Sequence, residues 1–123
     1  MTTRVFLSFD IETIVSRFSR NTNVLTTVVL GALEIARLLD QRNLKATFFV
    51  SLSPKDANQS VEEYLDKLEA LFRLLSTYDC VDIQPHIHAL GLPMEFPCVV
   101  DEFCAYTLEQ KICLLAWAKQ YFV

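Results

Sequence analysis

Two stretches of the chain hold the residue types best suited to chemistry. The run Val5-Phe6-Leu7-Ser8-Phe9-Asp10-Ile11-Glu12-Thr13 is apolar until it breaks into two carboxylates. A strand alternates its faces with period two, so Asp10 and Glu12 are expected on one side and Phe9 and Ile11 on the other. Further on, Val81-Asp82-Ile83-Gln84-Pro85-His86-Ile87-His88 carries both histidines of the sequence, at i and i+2. Paired imidazoles at that spacing can turn towards one zinc, iron, nickel or cobalt ion. Carboxylates at the end of a buried strand are costly unless solvated, paired or coordinated, so Asp10 and Glu12 are candidates for a metal ligand and a general base. If the two runs are neighbouring strands ending at the same sheet edge, four groups able to bind a metal or handle protons converge there. The plainer alternatives are a helix cap or an ion pair with Arg4 or Arg17 for the carboxylates, and hydrogen-bonded core positions for the histidines.

The elements that must position these groups follow from hydrophobic spacing. Arg4 to Phe9 is nearly continuous in apolar character, the pattern of a strand buried on both faces of a parallel sheet. Ser16 to Asn23 is a polar loop that keeps the carboxylates accessible. From Val24 to Arg42, Val24, Val28, Leu30, Leu33, Ile35, Leu38 and Leu39 fall at helical spacing, and the helix is expected to end near Asn43. Lys45 to Val50 reads as a second strand, with Lys45 at its solvated start, and Ser51 to Gln59 as a second loop. Ser60 caps a helix from Val61 to Thr77, with Glu62 and Glu63 in the first turn and Tyr64, Leu65, Leu68, Leu71, Phe72 and Leu75 as its buried stripe. Val81 to His88 is the third strand and Ala89 to Phe103 the third loop. A last helix after Thr107 keeps Ile112, Leu115, Ala116 and Trp117 for packing. Strand, helix and strand joined in this way make parallel crossovers. Phe48, Phe49 and Trp117 read as core, Asp82 as structural, and Asp101 as a further acid within reach of the site.

Composition narrows the class. The 123 residues are 52% hydrophobic, enough for one domain with a real core, and the two glycines and four prolines are few for an all-β fold. A formal charge of -4 offers no basic field for nucleic acid or anionic lipid. Asp10 and Glu12 cut the first apolar run short of a secretion signal, and Glu34 and Arg37 interrupt the longest one before it reaches spanning length. The expectation is a cytoplasmic protein. Cys80, Cys98, Cys104 and Cys113 form no CxxC pair and read as small buried hydrophobes of a reduced compartment, a zinc or disulfide pair of Cys98 and Cys104 being the alternative.

Taken in order, three stretches resemble the polysaccharide deacetylase family, the NodB-homology domain. Leu7 to Glu12 resembles its first motif, Leu38 to Val50 its second strand with the preceding helix, and Asp82 to His88 the strand with its metal histidines. The resemblance implies the N-terminal portion of a distorted (β/α) barrel, an α/β fold of parallel strands alternating with helices. On that basis residues 1–123 form a single, incomplete domain holding the first three strand-helix units. It also implies hydrolysis of the amide or acetyl group of an N-acetylated sugar or polysaccharide, with a divalent metal, zinc foremost, activating water and a carboxylate taking its proton. Matched by position, Asp10 falls on the catalytic base and His86 on the first metal histidine. The family's metal aspartate falls on Ile11 and its second metal histidine on Leu90, so Glu12 and His88 would stand in for them. Later motifs of the family have no counterpart. The implied partner is a carbohydrate substrate, with neither nucleic acid nor membrane.

Two other classes compete. Ser8 to Thr13 also resembles the first motif of DEDD-type 3′-5′ exonucleases, whose fold continues with an antiparallel hairpin and leaves the histidine pair unexplained. A non-catalytic barrel fragment or binding remnant is the third. In either barrel reading an uncovered sheet edge and apolar helix faces favour self-association.

Overall fold

The computed structural model describes residues 5–12, 24–52, 61–89, 92–98 and 103–121. Strands β1 (Leu7–Ile11), β2 (Ala46–Ser51) and β3 (Val81–His86) alternate with helices α1 (Val24–Gln41) and α2 (Val61–Leu75), and α3 (Leu108–Lys119) follows a short 3-10 turn at Phe103–Ala105. The sheet order is β1-β2-β3 with both pairings parallel. This is a mixed α/β arrangement compatible with part of a larger α/β fold. No described helix is long and apolar enough to cross a membrane. The expected loop Ser16–Asn23, most of Ser51–Gln59, the Ser60 cap, Arg4, Arg17, Leu90 and Asp101 lie outside the described residues.

Register divides the sheet into two unlike faces. Phe9, Phe48 and Ile83 stand side by side on one face, as do Ile11, Val50 and Pro85. Against that face pack Ala32, Ala36 and Leu39 of α1 and Tyr64, Leu68, Leu71 and Leu75 of α2, in one continuous core. Both helices therefore cover the same side, as successive right-handed crossovers in one direction require. The other face carries Ser8, Asp10, Phe49, Asp82 and Gln84, all exposed. β1 is thus not buried on both faces. Its apolar run contains Val5 and Phe6, which are exposed ahead of the strand, and an alternating strand behind them.

Helix orientation follows residue size as well as spacing. α1 presents alanines at 32 and 36 to the sheet, which allow a close approach, and leaves Leu30 and Leu38 exposed. Asn43, at φ 52°, ends it. The amides of Asn43 and Leu44 donate to the carbonyls of Asp40 (3.0 Å) and Leu39 (2.9 Å), closing a Schellman turn. α2 buries the expected stripe, and the Tyr64 hydroxyl donates to the Ser51 carbonyl at 3.1 Å, tying α2 to the end of β2.

α3 departs from expectation. Leu114 and Ala118 are buried and Trp117 is half-buried, whereas Ile112, Leu115 and Ala116 are exposed. The helix has apolar residues on two sides, and the inward one is chosen by its second, smaller core of Ala89, Leu92, Cys98, Tyr106 and Leu114. All four cysteines are free; Cys80 and Cys98 are buried as expected, but Cys104 and Cys113 are exposed. Cys98 and Cys104 form no disulfide.

Candidate metal centre

β1 and β3 are the two edges of the sheet, and their carboxyl ends flank that of β2. Parallel α/β sheets place their sites at this end, where strand side chains are held from below and open above. β3 pairs as far as His86, and the Leu52 amide donates to the His86 carbonyl at 3.2 Å. Pairing stops there, two residues short of the expected His88. Pro85, which has no N–H, is tolerated because β3 is an edge strand.

His88 nevertheless remains beside His86. Their rings stack with centroids 4.6 Å apart and planes inclined by 27°. Across the sheet, the Nε2 of His88 lies 2.9 Å from Oε2 of Glu12, a hydrogen bond between the two outer strand ends. Ligand atoms of Glu12, His86 and His88 all fall within 4.8 Å of one another. Two imidazoles and one carboxylate are a donor set suited to zinc and similar divalent ions. Tetrahedral zinc with bonds of about 2.1 Å needs its ligand atoms roughly 3.4 Å apart, a spacing between the 2.9 Å of the Glu12–His88 pair and the 4.8 Å that bounds the cluster, so the donor set fits the ion with local side-chain adjustment.

The Nδ1 of His86 is buried and has no hydrogen-bond partner among the described residues. Buried imidazole nitrogens are ordinarily satisfied, so an orphaned one beside a carboxylate and a second imidazole fits a ligand position. Asp10 has its Oδ1 3.7 Å from it, beyond hydrogen-bond distance. Asp10 is 65% exposed at its side chain, against 20% for Glu12. The four groups singled out in the sequence therefore meet as three clustered ligand candidates and one solvent-facing neighbour.

Asp82 shares the exposed face but sits near the start of β3, opposite Thr47 and away from the cluster. An open groove lined by Val5, Phe6, Lys45 and Asp79 lies at the opposite, amino end of the strands and takes no part in the site. Sequence reading missed Phe49. Taken as core together with Phe48, it projects to the other face and is 36% exposed, while Phe48 is fully buried. Period-two alternation within Phe48-Phe49 was the available signal.

Fold and donor set together define a parallel α/β protein with a candidate divalent-metal cluster at its strand ends. Compared with protein-family models, curated proteins and solved structures, the chain matches none.

Proposed function

We propose that the chain is a metal-dependent hydrolase of the polysaccharide-deacetylase type, acting on the acetamido group of an N-acetylated sugar. The observation that carries this reading is the Glu12, His86 and His88 cluster at the carboxyl ends of parallel strands, with Asp10 beside it. The sequential strand order, with both helices on one face, is compatible with a portion of a (β/α) barrel and supports this reading. Parallel pairing of β1 with β2 does not fit the antiparallel hairpin of the exonuclease alternative.

In this reading Glu12, His86 and His88 would hold the ion. A bound divalent metal supplies Lewis-acid polarisation of the amide carbonyl and lowers the pKa of water. Asp10, exposed and two residues before Glu12, accepts the proton of the attacking water. Asp10 stands outside the group of three ligand candidates, with its oxygens open to solvent. His88 and Glu12 orient one another through their 2.9 Å contact.

The test is acetate release from tri-N-acetylchitotriose by the zinc-loaded chain. Asp10→Asn is expected to abolish release and leave zinc affinity within about twofold, because only the proton acceptor is lost. The His86→Ala/His88→Ala variant is expected to lose both. Zinc binding with no acetate release contradicts hydrolysis and favours a non-catalytic binding domain. The openness of the sheet face supports that second reading, since no described residue closes it against water.

A further inference from the structure

We infer that the outward face of α3 docks a second copy of the chain, with the two α3 helices lying antiparallel. Leu108, Ile112 and Leu115 are exposed along this face, and exposed Lys119 continues the line. Their spacing of four, three and four residues is that of a coiled-coil seam. Among the described residues, the exposed leucines of α1 and α2 stand singly, at Leu30, Leu38 and Leu74. Single exposed leucines are ordinary on a protein surface, whereas an aligned apolar stripe marks an interaction site.

Charge sets the direction of the pair. Glu109 lies in the first turn of α3 and Lys119 in the last, and both are exposed. The other cation of the helix, Lys111, is engaged within its own chain, with its Nζ 5.7 Å from the centroid of the Phe103 ring. A parallel pair would set Glu109 against Glu109 and Lys119 against Lys119. An antiparallel pair centred between Ile112 and Leu115 avoids both clashes. Ile112 then packs against the partner's Leu115, and Leu108 against the methylene stem of the partner's Lys119, whose ammonium reaches Glu109. Reversal also sets opposite ends of the helix dipoles side by side.

The same reversal explains why the occupant is a second copy. A surface whose apolar and charged positions match their own reversed order is what an isologous twofold contact requires. The contact is small. The 12 residues of α3 span about 18 Å, short of a standard interface, so the dissociation constant is expected on the order of 10–100 μM. None of this depends on the hydrolase reading.

Sedimentation equilibrium of the whole chain across that concentration range tests the docking, with a monomer–dimer equilibrium expected. Glu109→Lys and Lys119→Glu are each expected to weaken dimerisation by about tenfold, because each turns two attractions into two repulsions. An equimolar mixture of the two variants should regain the parent affinity, since each then offers the charge that the other lacks. Circular dichroism of each variant checks that α3 persists, above all in Glu109→Lys, which places a cation at a helix N-terminus. Cys104 and Cys113 are free and exposed and supply a second readout. A bismaleimide is expected to join Cys113 to the partner's Cys113, near the centre of the pair, and to leave Cys104, at its far ends, unlinked. A parent that stays monomeric overturns the docking. Folded single-charge variants that dimerise as tightly as the parent, or links between Cys104 and the partner's Cys104, overturn the antiparallel arrangement.

Discussion

At the scale of single residues, environment separates groups of the same type. Asp10 and Glu12 are two positions apart on one face, yet the first faces solvent and the second meets His88. The cysteines divide in the same way. Burial pushes the Cys80 thiol above its ordinary pKa, and the nearby Asp40 carboxylate adds to the effect. Burial also raises Cys98, partly opposed by a hydrogen bond with Tyr106. Little thiolate is therefore present at either site near neutral pH. Iodoacetamide is expected to label Cys104 and Cys113 in the native protein and to reach Cys80 and Cys98 only on unfolding; mass spectrometry of timed digests reads the order. The sign of the linkage follows: these raised thiols favour the fold below the unfolded-state thiol pKa, and that contribution is lost as pH rises through the folded values. Residue type and spacing made the candidate ligands visible in the sequence. Type and spacing alone do not separate the two carboxylates, because that depends on where β1 ends relative to β3; Glu12 enters the expected ligand set only through the family resemblance.

At the scale of elements, caps and faces determine how each segment is held. Thr107 and Gln110 form a reciprocal capping box at the start of α3. Thr107→Ala is expected to cost about 1 kcal/mol in urea unfolding, and Thr107→Ser much less. Glu109 in the same turn has its carboxyl held below the usual range, first by its backbone amide and then by Thr107. Its contribution is present above the unfolded-state carboxylate pKa and is lost as pH falls through the folded value. Asn43→Val should destabilise by about 1–2 kcal/mol because the left-handed turn disfavours a β-branched side chain, whereas Asn43→Gly should be neutral or slightly stabilising. The adjacent phenylalanines give the sharpest contrast. Phe48→Ala is expected to cost about 3–5 kcal/mol, and Phe49→Ala no more than about 1 kcal/mol. Similar losses for both would mean that the sheet buries both faces. Element order and most boundaries were legible from periodicity and turn residues. The inward face of α3 was not, because Leu108, Ile112 and Leu115 form as regular a stripe as the one that is buried, and only the Leu114 cluster decides between them.

At the scale of the molecule, a three-stranded sheet covered on one side leaves two edges and one polar face open among the described residues. The exposed stripe on α3 adds Leu108, Ile112 and Leu115 at 67%, 57% and 52% exposure. We therefore expect concentration-dependent self-association by light scattering, reduced in Ile112→Glu/Leu115→Glu; a parent that stays monomeric throughout contradicts this. The sequence reveals a parallel α/β plan through its alternation of apolar runs and amphipathic helices. It does not reveal the closure of the sheet, since the pattern of each strand specifies its faces and not the number of its neighbours. The metal cluster acts at this scale too, because Glu12 and His88 come from stretches following opposite edge strands, and an ion held there ties those edges together. The most direct test is urea unfolding of the parent and the His86→Ala/His88→Ala variant with and without zinc. Zinc at 100 times its dissociation constant is expected to raise the parent's unfolding free energy by about 2.7 kcal/mol and to leave the variant unchanged. No zinc-dependent gain in the parent, or an equal gain in both proteins, would contradict the assignment of Glu12, His86 and His88 as a metal site.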